Sequence, residues 1–154
     1  MTDVNHPAPQ FSREEAASLA ASHFGVGGAA SPLDSERDQN FKLMSADGDW
    51  IFKIVNASEP HQESEFQAAL LDHLARSGAD VAVPGLRKTP EGAALAHAPA
   101  DGGGQHALRL VSWLPGLPLA EVARTPQVLA GLGAALGRLD RALQGFIHPG
   151  ALRS

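Results

Sequence analysis

Two stretches of alternating hydrophobicity meet at an Asp-Gly pair, and no other feature of the sequence leaves the fold so few alternatives. Asn40-Phe41-Lys42-Leu43-Met44 leads into Ala46-Asp47-Gly48-Asp49, and Asp49-Trp50-Ile51-Phe52-Lys53-Ile54-Val55 leads out of it. Apolar and aromatic residues at every second position, joined through Asp-Gly, predict an antiparallel hairpin. With Asp47 and Gly48 as the loop, Ala46 faces Asp49, and Leu43 pairs with Phe52, Phe41 with Ile54 and Lys42 with Lys53. One face of the ribbon is then Phe41, Leu43, Trp50, Phe52 and Ile54. The other holds Lys42, Met44, Ile51, Lys53 and Val55. Lysines set opposite each other repel, so this face requires a negative partner, either a carboxylate of the chain or a phosphate.

The flanking sequence supplies the rest of one domain. Met1 to Gln10 is polar and contains proline, as expected of a flexible arm, which is taken to end at Phe11. Ser12 with Glu15 three residues on forms a capping box, so a helix starts there, carrying Ala16, Leu19, Ala20 and His23 on one side and stopping near Gly25. Ala29 to Asp34 reads as extended, and Ser35 to Asn40 as a polar turn before the hairpin. After the break at Asn56 to Pro60, Phe66, Ala69, Leu70, Leu71 and Leu74 form a helical stripe that ends at Gly78. Short strands follow near Leu86 to Thr89, Ala93 to His97 and His106 to Trp113. Thr125-Pro126 caps a last helix with Leu129, Leu132, Leu136, Leu139 and Leu143 on one seam. The sum is an α+β fold: an antiparallel sheet of about five strands, a helix inserted after the third, an N-terminal helix and C-terminal helices.

Several functions are excluded at this level. A net charge of −5, with Arg87-Lys88 as the longest basic cluster, argues against a nucleic-acid surface. With no cysteine there is no disulfide framework or thiol chemistry, which fits a reducing cytoplasm. The N-terminus lacks an apolar signal core, and no run approaches membrane-spanning length. The seven histidines are scattered and predict no metal site. Ser12, Ser31 and Ser112 lack a Gly-x-Ser-x-Gly setting, and Asp101-Gly102-Gly103-Gly104 reads as a flexible connection.

Taken in order, Leu33-Asp34-Ser35-Glu36-Arg37-Asp38-Gln39-Asn40-Phe41, Trp50-Ile51-Phe52-Lys53-Ile54, Phe66 to Leu74 and Leu110-Val111-Ser112-Trp113-Leu114-Pro115-Gly116 resemble the aminoglycoside phosphotransferase-like kinases, most closely their hydroxylysine kinase-like branch. Leu136 to Leu143, with Phe146 and His148-Pro149 after it, resembles the helix that follows the hinge in that family. The resemblance covers nearly the whole chain. It implies the N-terminal lobe of a protein-kinase-like fold, placed at residues 12–116, with 117–154 as a helical segment leading towards a C-terminal lobe. Lys53 would hold the α and β phosphates of ATP, and Ile51 would touch the adenine. Asp38, Gln39 and Asn40 would cover the phosphates, and Ser112, Trp113 and Leu114 would form the hinge that reads the adenine edge.

The sequence departs from that pattern in two places. The helix glutamate that usually partners the strand lysine falls on Gln67, which leaves Glu63, one turn earlier, as the acidic candidate. No His-x-Asp catalytic loop follows Lys53, so no catalytic residue is assigned and the chain is expected not to transfer phosphoryl groups alone. ATP and Mg2+ are the cofactors implied for the complete enzyme, with a hydroxyl on an amine-bearing or aminoglycoside-like molecule as acceptor. The alternative is a non-catalytic module of the same fold, acting as a scaffold or regulating a fused enzyme. In either case an uncovered leucine seam on the last helix predicts self-association.

Overall fold

The computed structural model describes residues 8–151. Residues 1–7 of the expected arm lie outside it. The capping box forms as the sequence requires: Ser12 Oγ accepts from the Glu15 N–H at 3.1 Å, and the Ser12 N–H donates to Glu15 Oε2 at 2.7 Å. Helix α1 runs Arg13–Phe24 and ends at Gly25 in the left-handed region. Strands β1 (Ala29–Leu33), β2 (Gln39–Ser45) and β3 (Gly48–Ile54) follow, then helix α2 (His61–Ser77). Beyond it come β4 (Leu86–Arg87), β5 (Ala96–Pro99), β6 (Gln105–Ser112) and helix α3 (Pro126–Leu143), with short 3-10 turns at Leu119–Glu121 and Pro149–Ala151.

The strands make one antiparallel sheet of six in the order β1-β2-β3-β6-β4, with β5 also pairing with β6. The core lies between this sheet and α1. Ala16, Ala20 and Phe24 pack on Phe41, Leu43, Phe52, Ile54, Leu108 and Leu110, and the Phe24 ring meets Phe52 edge-on at 6.2 Å. Helix α2 covers part of the opposite face with Ser64, Ala68 and Leu74 buried. Phe66, Ala69, Leu70 and Leu71, the expected stripe, are only partly buried. Strand β6, covered on both sides, is buried continuously from His106 to Val111.

The hairpin register is one residue per strand away from the expected one. Ser45 pairs with Gly48, so Ala46 and Asp47 form the turn, and Phe41 faces Phe52, Leu43 faces Trp50, Lys42 faces Ile51 and Asn40 faces Lys53. An Asp47-Gly48 loop would ask for positive φ at a residue with a side chain. Instead only Gly48 takes it, at 119°, where the missing Cβ removes the penalty. A one-residue step on both strands leaves the two faces unchanged, because side chains alternate with period two. It does separate the lysines. Lys42 instead pairs with Asp49 at 2.8 Å, so the negative partner on this part of the face is a carboxylate of the chain.

Phe11, which the sequence groups with the arm, is anchored. Its N–H donates to Gln39 Oε1 and its carbonyl accepts from Gln39 Nε2, both at 2.8 Å. At Gly28 a Cβ would collide with the Met44 carbonyl across the β1–β2 pairing, and a backbone atom cannot step aside. Gly28→Ala is therefore expected to cost about 2 kcal/mol and to raise amide exchange in Met44 and Ser45; exchange unchanged from wild type would mean that the strands are not this close. At the other end, α3 is capped at Thr125, whose Oγ1 accepts from the Val128 N–H at 3.3 Å, yet no residue of this helix is buried.

Candidate functional site

The site grows from one cross-strand row. β2 sets Asn40 opposite Lys53, and β6 sets Arg109 opposite Lys53 on its other side. All three residues project from the face away from α1, because Phe41, Phe52 and Leu110, their sequence neighbours, fill the core. Ile51 lies one step along on this face, opposite Val111.

Asp38 supplies the negative charge. Its Oδ2 sits 3.7 Å from Lys53 Nζ, and its Oδ1 accepts from the Asn56 N–H at 3.1 Å. The loop carrying Asp38 is fixed by Asn56, which is 4% exposed. Asn56 Nδ2 donates to the Arg37 carbonyl at 3.1 Å, and Asn56 Oδ1 accepts from the Ser58 N–H at 3.0 Å and from Ser58 Oγ at 2.8 Å. An asparagine immediately after an apolar strand and two residues before a serine was the legible signal for this knot, since such side chains fold back on nearby backbone.

Of the expected loop residues, Asp38 and Asn40 reach the row. Gln39 does not: alternation along β2 turns its side chain to the α1 face, where Phe11 holds it. Asn40 Oδ1 is buried and has no hydrogen-bond partner among the described residues. Glu63 and Gln67 both lie on α2 and are partly buried. Gln67 does not turn to Lys53. Its Oε1 accepts from Arg109 Nη2 at 2.6 Å.

Arg109 is the residue that sequence reasoning passed over. A single cation inside Ala107-Leu108-Arg109-Leu110-Val111 was its signal, because a run that apolar has no solvent face to which a charge can turn. The residue is 4% exposed, and its Nε and Nη1 have no hydrogen-bond partner among the described residues. Burial draws the guanidinium pKa below its ordinary value, opposed by the carboxylates of Glu59 and Asp38.

The expected hinge is only partly available. The Ser112 N–H donates to the Gly85 carbonyl at 2.8 Å, and the Trp113 N–H to the Asp49 carbonyl at 3.0 Å. The Trp113 ring lies 4.4 Å from Lys42 Nζ. Leu114, 40% exposed, has no backbone hydrogen-bond partner among the described residues. In the row Lys53 stands between an amide, Asn40, and a buried arginine, Arg109, with the apolar Ile51 one step along the same strand. Among the described residues no three His, Asp or Glu side chains converge to hold a metal ion, and no helix is long and apolar enough to cross a membrane.

Comparison with known proteins bears on the family and the fold. The profile of a family described as "Phosphotransferase enzyme family" matches residues 29–153. Hydroxylysine kinase of Xenopus laevis is 31% identical over 95% of this chain, and that of Mus musculus 31% identical over 92%. The chain spans 42% and 41% of the length of those two relatives. Among solved structures, an amicoumacin kinase in complex with AMP-PNP, Ca2+ and Ami aligns with a TM-score of 0.76 at 17% identity, over 94% of this chain and 44% of its own. A spectinomycin phosphotransferase in complex with ADP and spectinomycin aligns with a TM-score of 0.64 at 12% identity, over 84% of this chain and 38% of its own. At these identities the likeness is one of fold.

Proposed function

This chain belongs to the phosphotransferase enzyme family, and we propose that it is the nucleotide-binding lobe of an ATP-dependent small-molecule kinase. The observation that carries the reading is Lys53, held in the middle of the sheet on the face away from α1, with the Asp38 carboxylate 3.7 Å away. Lys53 takes the α and β phosphates, Asp38 and Asn40 border them, Ile51 meets the adenine, and the Leu114 backbone reads its edge. Ser112 and Trp113 contribute by placing Leu114, since their own N–H groups are committed to the sheet. Bound Mg-ATP supplies the phosphoryl group. The acceptor is a hydroxyl on an amine-bearing metabolite, as the hydroxylysine kinase relatives suggest. No His-x-Asp string follows Lys53, so this chain alone binds without transferring.

The test is a Mg-ATP titration followed at the amides of Asn40, Lys53 and Leu114. Saturable shifts at all three are expected, with affinity reduced by about tenfold or more in Lys53→Ala, the loss anticipated for one charge-assisted contact. Shifts that survive Lys53→Ala unchanged would remove the lysine from the phosphate site. No shift at millimolar nucleotide would favour a second reading, a binding module of the same fold. Leu129, Leu132 and Leu136 of α3, which are 52%, 40% and 52% exposed, are the observation in its favour.

A further inference from the structure

We propose that Arg109 is the cation through which the sheet holds α2 at Gln67, and that this arrangement makes Arg109 a positioning residue that leaves Lys53 free to face a phosphate. The second half rests on the nucleotide-lobe reading; the first does not. In the usual kinase arrangement one strand lysine serves both tasks, holding the helix glutamate and the phosphates together. Here the tasks fall on neighbouring strands. Arg109 and Lys53 are directly opposed in the β3–β6 register. The guanidinium reaches α2 through a 2.6 Å bond to Gln67, whereas Lys53 pairs with Asp38 in the loop before β2.

The chemistry explains why the helix residue is an amide. A glutamate at position 67 would satisfy Arg109 but would also cancel the positive charge behind Lys53. A neutral oxygen accepts one N–H and leaves the charge in place. The consequence is visible: Arg109 is 4% exposed with Nε and Nη1 unpartnered, an incompletely satisfied buried cation at the root of the row. Such an arrangement sacrifices stability in the free chain and raises the potential where a polyanion would bind.

The experiment is a set of double-mutant cycles in urea unfolding, with no ligand present. Gln67→Glu is expected to raise the unfolding midpoint by completing the charge pair. That gain should persist in a Lys53→Met background, disappear in Arg109→Met, and be retained in Arg109→Lys, which restores the charge. A gain that disappears with Lys53→Met and persists with Arg109→Met assigns the link to Lys53 and overturns the proposal. Should Arg109→Met fail to fold, the Nε–H resonance of Arg109 in the otherwise wild-type chain takes its place: it is expected to shift and exchange more slowly in Gln67→Glu, and an unmoved resonance overturns the link. Mg-ATP titration adds the functional arm. Gln67→Glu should bind about three- to tenfold more weakly, the effect of one added nearby charge, and unchanged affinity overturns the positioning role. Wild-type chain that ignores Mg-ATP overturns the nucleotide reading and the positioning role with it, while the ligand-free cycles still decide the Arg109–Gln67 link.

Discussion

Phe52→Ala is expected to destabilise the chain by about 3–5 kcal/mol, the cost of removing a large aromatic ring from a packed core. Phe52 is 1% exposed and meets Phe24 edge-on, so its ring joins β3 to α1 across the core. Domains of this size hold about 5–15 kcal/mol in all, so the loss takes a large share of the total. The effect extends to the proposed nucleotide site, because Phe52 separates Ile51 and Lys53 in sequence and anchors the strand from which both project. Urea unfolding would show the midpoint falling with an unchanged slope. Leu136→Ala, on the exposed seam of α3, serves as the control and should move the midpoint by less than about 0.5 kcal/mol. A Phe52→Ala variant as stable as that control would mean that the sheet and α1 do not share this core.

The second large effect is expected at Asn56, which lies outside the core. Asn56→Ala removes the donor to the Arg37 carbonyl and the acceptor of two bonds from Ser58. The groups left behind are partly buried, so about 3 kcal/mol should be lost, roughly one per bond. The Asn56 N–H bond to Asp38 is made by the backbone and survives the substitution, but the loop that presents Asp38 is no longer tied down. The checks are urea unfolding and the amide signals of Asp38 and Lys53. Both signals should move, and nucleotide affinity should change with them. Stability lost without any change at Lys53 would show that the knot serves the fold alone, and that Asp38 does not depend on it for its place beside the lysine.

Both effects show how differently core and site could be read from the residues. The apolar face of the hairpin was legible because alternation is a local property, and it survived a register error of one residue per strand. The identity of the partners was not. Lys53 faces Asn40 rather than Lys42 because the turn residues preferred ordinary φ values and left the positive one to Gly48. The same alternation, followed carefully, places Gln39 on the core side, yet only its pairing with Phe11 shows what holds it there.

By itself the sequence determined where the helices begin and end, since caps, glycines and periodicity act within a few residues. It also determined which residues of the hairpin turn inward, and the order of motifs that leads to a phosphotransferase. The tertiary structure decided how the charges are shared. Gln67 could be aligned with the helix position that partners a strand lysine, but whether it meets Lys53 or Arg109 depends on how β6 lies beside β3 and how α2 crosses them. The burial that leaves Arg109 short of partners exists only once sheet and helix have closed over it. Hydrogen bonds between residues distant in sequence are set by packing geometry, and packing is a property of the assembled fold.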